Sequence, residues 1–415
     1  MNVDVSWAQE GGGPQIDTGD TAWILMSSAL VLCMVFPGLA LFYGGLVRSK
    51  NVLGTIMHTA VIVCLISLVW ILWGYSLAFG PSIGGMIGSL EWMGLKGVGI
   101  SPSPDYASTI PHQLFMVFQL MFAAITVALI TGSFAERMKF KALMLFAVLW
   151  STFIYSPLAH WVWGGGWLGA MGTLDFAGGA VVHISSGFAA LVCAIVLGPR
   201  KGLGVEPMPP HNLPLTVLGT GLLWFGWFGF NAGSALGAND IAAVAFVATH
   251  TAACAGGLSW MVAEWVHTGK PTTLGICSGI IAGLATVTPG AGFLEPLSAL
   301  GIGVMAGTLC YIAVVWKSKL GYDDSLDVVA IHGVGGIFGI LAVGLFASIG
   351  AQGLFFGNPG QFGIQAVAAI ATLAFVVVGT YIILKVVDVT VGLRVTEEEE
   401  NTGLDLSQHN EKGYS

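Results

Sequence analysis

Long apolar runs separated by short polar segments recur along the whole chain. Eleven of them approach or exceed the about 20 residues a helix needs to cross a bilayer core. They lie near 22–45, 53–79, 113–134, 142–160, 178–198, 214–234, 241–266, 274–288, 294–316, 329–349 and 363–391, the eighth being short. The pattern predicts an all-α polytopic membrane protein with eleven transmembrane helices. Composition agrees: 55% of the 415 residues are hydrophobic and 9% are charged, against roughly 25% charged in soluble domains. Such a chain cannot cover itself with a wetted surface.

Charge adds an orientation. Arg48, Lys50, Arg137, Lys139, Lys141, Arg200, Lys201, Lys270, Lys317 and Lys319 all fall in alternate loops. Lys385, Arg394 and Lys412 lie at the inner end of the last span or beyond it, and only Lys96 is on the other side. The positive-inside rule then places the N-terminus outside and the C-terminus in the cytoplasm of a multi-pass cell-membrane protein. Residues 1–20 hold acids (Asp4, Glu10, Asp17, Asp20) and no Lys or Arg, unlike the basic start of a signal peptide. The expected organisation is an external tail over 1–20, an eleven-helix domain over 21–392 and a cytoplasmic tail over 393–415.

Spans 1–5 and 6–10 read as two halves followed by one extra helix. The fifth span of each half carries a histidine, His183 in "DFAGGAVVHISSG" and His332 in "DVVAIHGVGG", with Asp175 or Asp327 upstream. A five-span unit inserts its second copy upside down, and inverted repeats place their site near the midplane, where the halves meet. His183 and His332 are therefore expected to be symmetry mates. The span boundaries leave each only a turn or two from its own membrane face. For them to meet, vestibules must hollow the membrane or these two helices must begin below its surface.

Two histidines at related positions point to function, because intramembrane ionisable residues mark pathways. Neutral imidazole both donates and accepts hydrogen bonds, so a linked pair suits a small polar solute and a proton relay. No metal is expected, since zinc sites take three or four protein ligands and no third His or Cys is suitably placed. The six cysteines fall singly in apolar runs, as small buried hydrophobes do.

Aromatic residues extend the pattern. Phe118, Gln119 and Phe122 share one face of span 3, and Trp227, Phe230 and Ser234 form one stripe of span 6. Trp161, Trp163 and Trp167 cluster at the outer end of span 4. Trp161 and Trp167 are read as an interfacial aromatic belt, and Trp163 as a cation–π platform over an external vestibule. A bare cation entering an apolar tube would face a desolvation cost that is ideally on the order of 20 kcal/mol. A cation that sheds a proton and crosses as a small neutral molecule fits this layout better than potassium or sodium, and the carbonyl ring of a potassium filter is missing.

With these features the sequence resembles the ammonium transporter (Amt) family, related to the Rhesus glycoproteins. The motifs are "PGLALFYGGLVRSKNVL", "FAERMKF", "AHWVWGGGWLG", "DFAGGAVVHI", "PHNLP", "GWFGFNAGSA", "VTPGAG", "DVVAIHGVGG" and "DVTVGLRV", in order over essentially the whole chain. The resemblance implies the ammonium transporter fold with its inverted five-plus-five repeat, and a homotrimer with one pore per subunit. It implies an external ammonium site at Trp163, Phe122 and Ser234, and a gate of Phe122 and Phe230. His183 and His332 would be the twin histidines of the pore. Asp175, Gln119 and Thr288 take supporting roles, Asp175 also reading as a helix cap. The gate and recruitment residues keep the prokaryotic Amt identities, and the external site of Rhesus proteins is less aromatic.

The tail carries an acidic run at 397–400, which taken alone is a solvated segment. In the family the tail packs on the inner face of the trimer, where cytoplasmic PII signalling proteins dock. Ammonium transport with net charge movement is the leading expectation. A passive ammonia channel, or a sensor acting through a cytoplasmic partner, stays open. An enzyme is not expected: Asp323, Asp324 and Asp327 near span 10 have no nucleophile, metal cluster or phosphate motif beside them and read as acidic helix caps. No cofactor is called for, and nothing suggests nucleic acid.

Overall fold

A computed structural model of the chain describes residues 15–414. The external tail expected over 1–20 falls mostly outside them. The first helix begins at Thr18, where the Asp17 carboxylate accepts a hydrogen bond from the Asp20 amide at 2.8 Å, a side-chain N-cap.

Among the described residues eleven helices are long and apolar enough to cross a membrane: α1 (Thr18–Leu46), α2 (Ser49–Phe79), α3 (His112–Phe134), α4 (Phe140–Ala170), α5 (Gly179–Leu197), α6 (Leu213–Gly233), α7 (Asp240–Thr268), α8 (Thr273–Gly290), α9 (Pro296–Leu320), α10 (Val329–Phe346) and α11 (Pro359–Val391). Every expected span has its helix. In lipid each backbone polar group must be satisfied within its own segment, which is what makes the helix the unit here. Much of the outward surface is apolar, with Leu68, Phe153, Ile195, Leu258 and Ile370 all exposed, as side chains facing hydrocarbon are.

Between α2 and α3 lie two short hairpins, β1–β2 (Ser82–Ile83 with Ile87–Gly88) and β3–β4 (Pro102–Ser103 with Ala107–Pro111). Trp161 departs from its expected place in an aromatic belt. It is buried at 7% exposure, donates from Nε1 to the Met86 carbonyl at 2.8 Å and packs on Phe375 at 4.5 Å between centroids. Its indole pins the first hairpin to the helices beneath.

The opposite face carries the charge. Arg137 is buried and donates to the carbonyls of Gly198, Ser133 and Asp323 and to the Ser325 hydroxyl. This joins the α3–α4 turn to the end of α5 and to the segment entering α10. Burial lowers its pKa to about 10, so it stays cationic at neutral pH. The three acids nearby do three different jobs. Asp323 forms an ion pair with Arg200 at 2.9 Å. The Asp324 carboxylate accepts the Val329 amide at 2.7 Å and caps α10, while Asp327 pairs with Lys317 at 2.5 Å. Only Asp324 is the helix cap expected of the whole cluster.

The tail is ordered against this face. Helices α12 (Glu397–Thr402) and α13 (Leu404–His409) follow α11, the first opened by a capping box of Thr396 and Glu399. Lys50 Nζ donates to the Glu400 carbonyl at 2.9 Å, Arg394 pairs with Glu400 at 2.7 Å, and the Asp405 carboxylate accepts the Gly54 amide at 2.7 Å. Glu400 is buried, so the acidic run is not a plain solvated segment.

Arg137→Met leaves several buried carbonyls without a donor and should cost about 3 kcal/mol. The thermal unfolding midpoint in detergent should fall, while Lys270→Met, at an exposed loop position, leaves it in place. Equal midpoints for the two variants would show that the hub carries no stability.

Candidate functional site

The two histidine helices are built alike. Each opens with a π-helical turn, Gly179–Ile184 in α5 and Val329–Val334 in α10, and each turn holds its histidine. Both helices are short, 19 and 18 residues against 25, 29 and 33 for α9, α7 and α11. His183 stands four residues into α5 and His332 three into α10. Each histidine therefore lies about one turn inside the start of its own helix.

Glycine brings the pair together. A methyl group on Gly187 would lie 2.1 Å from the Gly333 amide nitrogen, and one on Gly336 would lie 2.8 Å from the Ile184 nitrogen. Gly187 and Gly336 each follow their histidine by four residues, so α5 and α10 cross backbone to backbone beside the imidazoles, as small residues permit. The acidic mates are Asp175 and Asp324, each eight residues before its histidine. This corrects the expected pairing of Asp175 with Asp327, which adopts a positive φ of 61° and is spent on Lys317.

His183 and His332 are buried, their rings 5.2 Å apart and nearly parallel, with Nδ1 to Nδ1 at 3.1 Å. One Nδ1 must donate and the other accept, so in the neutral pair one Nε2 accepts while the other donates. His183 Nε2 has no partner in the protein. The His183 ring stacks on Trp227 at 5.6 Å, and Trp227 Nε1 donates to the Thr288 hydroxyl at 2.9 Å. Thr288 in turn donates to the Leu284 carbonyl at 2.8 Å. Thr288 thus reaches the histidines through an indole.

Above the pair the aromatics form an unbroken series. Phe230 is 6.3 Å from His183, Phe122 stacks on Phe230 at 4.2 Å, and Trp163 meets Phe122 edge-on at 5.9 Å and 88°. Both phenylalanines are buried, and Trp163 is partly open. Ser234 ends α6 and donates to the Phe230 carbonyl at 2.9 Å, leaving its oxygen lone pairs free to accept. Gln119 lies on the helix of Phe122, its side-chain oxygen buried without a partner.

Asp175 works at two points. Its carboxylate accepts the amides of Gly178, Ala180 and Val181 at 2.9, 2.8 and 3.2 Å, together with that of Gly179. Its carbonyl accepts Trp163 Nε1 at 2.8 Å. Burial raises the carboxyl pKa to about 6 against the pull of the four amides, so it is ionised at pH 7. Below His332 a cavity is lined by Leu39, Leu129, Leu326 and Val328, with Tyr43 among them. Among the described residues no three His, Cys, Asp or Glu side chains gather as metal ligands.

The sequence model of the Ammonium Transporter Family matches residues 22–414. The chain belongs to the ammonium transporter family. It is 54% identical over 402 residues to the ammonium transporter of Bacillus subtilis, covering 95% of this chain and 98% of that one. It is 50% identical over 400 residues to ammonium transporter Amt1 of Archaeoglobus fulgidus, covering 96% and 99%. The crystal structure of Saccharomyces cerevisiae Mep2 superposes with a TM-score of 0.87 at 41% identity, over 93% of this chain and 89% of that one. This ammonium transporter family member is accordingly not an enzyme, and its eleven-helix fold is that of the family.

Sequence reasoning brought Trp163, Phe122, Phe230, His183 and His332 to one line, and the structure joins them in that order. It missed Trp227, assigned there only to a stripe, and the two glycines at i+4 from the histidines, although that equal spacing is written in the chain. Thr288→Val strands the buried Trp227 N–H, a loss of about 1–3 kcal/mol. Ammonium-driven flux in liposomes should drop several-fold, and Thr288→Ser should restore it. Equal flux for Val and wild type would remove Thr288 from the site.

Proposed function

We propose that this protein carries ammonium across the cell membrane by splitting it into ammonia and a proton that cross separately. The cation is recruited outside by the Trp163 and Phe122 rings and the Ser234 oxygen, and loses its proton at the Phe122–Phe230 gate. Ammonia then passes along the apolar tube beside His183 and His332. The observation that carries this reading is the 3.1 Å bond between the two buried imidazoles directly beneath the stacked gate. Uncharged ammonia avoids the desolvation that a bare cation suffers in such surroundings.

The histidine pair supplies the proton route. A proton taken by His183 Nε2 lets the Nδ1 proton of His183 pass to His332 Nδ1. His332 then releases its Nε2 proton toward the inner cavity. Ammonia and a proton together carry one positive charge inward per ammonium, so transport is electrogenic. Asp175, anionic at pH 7, favours the cation electrostatically and holds the Trp163 indole, while Gln119 borders the gate. The basic loops put the N-terminus outside and the tail inside. Family likeness extends the reading to a homotrimer with one pore per subunit, and to a PII signalling protein on the cytoplasmic face that carries the tail.

Currents from purified protein in liposomes given an ammonium pulse test the relay. Wild type should give an ammonium-selective current, and a His183→Ala/His332→Ala double variant should lose it. Ammonia flux without current in wild type identifies a passive channel, and a selective current surviving in the double variant refutes the relay. No flux of either kind moves the function to sensing. Trp163→Leu removes a cation–π face worth about 1–2 kcal/mol. The half-saturating ammonium concentration should rise about ten-fold, and an unchanged value would take Trp163 out of the external site.

A further inference from the structure

Two glutamines one turn apart on α11, Gln361 and Gln365, are buried in the protein and have no part in the route above. From their bonds we infer that Gln365, backed by Gln361, is a positioning residue for the external ammonium site. The inference rests on the reading of Trp163 given above.

The segment between α4 and α5 has neither helix nor strand at 173–175, so its buried backbone groups need other partners. Gln365 serves both groups of one residue. Its Oε1 accepts the Leu174 N–H at 2.8 Å, and its Nε2 donates to the Leu174 carbonyl at 2.7 Å. The same Nε2 donates to the Ile340 carbonyl of α10, the His332 helix, at 3.2 Å. Gln361 Nε2 donates to the Gly172 carbonyl at 2.9 Å and to Gln365 Oε1 at 3.3 Å. Oxygen and nitrogen of the Gln365 amide are thus each used twice, which fixes the side chain in one pose.

The next residue is Asp175, whose carbonyl holds Trp163 Nε1. On its other side the Phe176 amide donates to the Pro289 carbonyl at 2.9 Å, beside Thr288. Asp175 is therefore held between two anchors, and Gln365 is the side-chain anchor on the Leu174 side. Trp163 is partly open and rests edge-on against Phe122, so its indole direction depends on where the Asp175 carbonyl points. A buried glutamine that only stabilised the fold would not govern that direction. This one ties the Trp163 anchor to the helix that carries His332.

The test measures current against ammonium concentration for the full chain in liposomes. Gln365→Met keeps the length of the side chain and removes donor and acceptor. Loss of the two bonds to Leu174 should raise the half-saturating concentration about three- to ten-fold, no more than Trp163→Leu does, with maximal current within about two-fold of wild type. In a Trp163→Leu background the same substitution should add nothing, since it acts through that indole. Gln361→Met, which removes the bonds to the Gly172 carbonyl and Gln365 Oε1 but leaves both Leu174 bonds, should give a smaller rise and serves in its place if Gln365→Met does not assemble. A half-saturating concentration unchanged in both variants overturns the inference, as does a multiplicative effect in the Trp163→Leu background. A lower melting temperature with unchanged affinity also overturns it, by making Gln365 merely structural. If Trp163→Leu itself leaves affinity unchanged, the external-site reading fails and takes this inference with it. A rise for Trp163→Leu with none for either glutamine variant sinks this inference alone.

Discussion

The crossing of α5 and α10 is the contact on which the histidine pair depends. Two imidazoles reach a 3.1 Å hydrogen bond only if their backbones come close, and Gly187 and Gly336 remove the side chains that would keep them apart. Everything else in the site is referred to that crossing. Trp227 stacks on one ring, Phe230 sits above it, and Asp175 and Asp324 fix where the two helices begin. In lipid, where apolar side chains gain nothing by leaving the solvent for each other, close backbone packing is a main source of helix adhesion. The site and the fold therefore draw on one feature.

The legible part of this protein is the part that one-dimensional patterns encode. Apolar runs gave the helices, basic residues gave alternate loops, and recurring "GG" and "H" around 183 and 332 gave the repeat. The boundaries were the weak point. A run such as 142–160 underestimates α4, which starts at Phe140, is helical to Val162 and adds a short helix at Trp167–Ala170 after a turn. Other ends were read closely: the run at 178–198 matches α5 at Gly179–Leu197.

The misreadings share one cause. Trp161 has the composition of an interfacial residue and the surroundings of a core residue, because the hairpin at Met86 folds over it. Asp327 lies nearer to His332 in sequence than Asp324 does, yet a positive φ turns it toward Lys317. The acidic run at 397–400 looks solvated until Lys50, Lys201 and Arg394 meet it. The partners lie from six residues away, Arg394 to Glu400, to 350, Lys50 to Glu400, and hydropathy and composition name none of them.

The bond between the histidines joins two like atoms, and like atoms cannot both hold the proton between them. The pair is thus always polarised one way or the other along the pore, with no symmetric resting state when neutral. In the relay proposed above, a proton that passes leaves the polarity reversed behind it. A second proton moving in the same direction has to wait until the polarity is restored. On the proposed relay the pair thereby keeps a record of its last passage, and traffic is counted one event at a time rather than flowing as through an open wire.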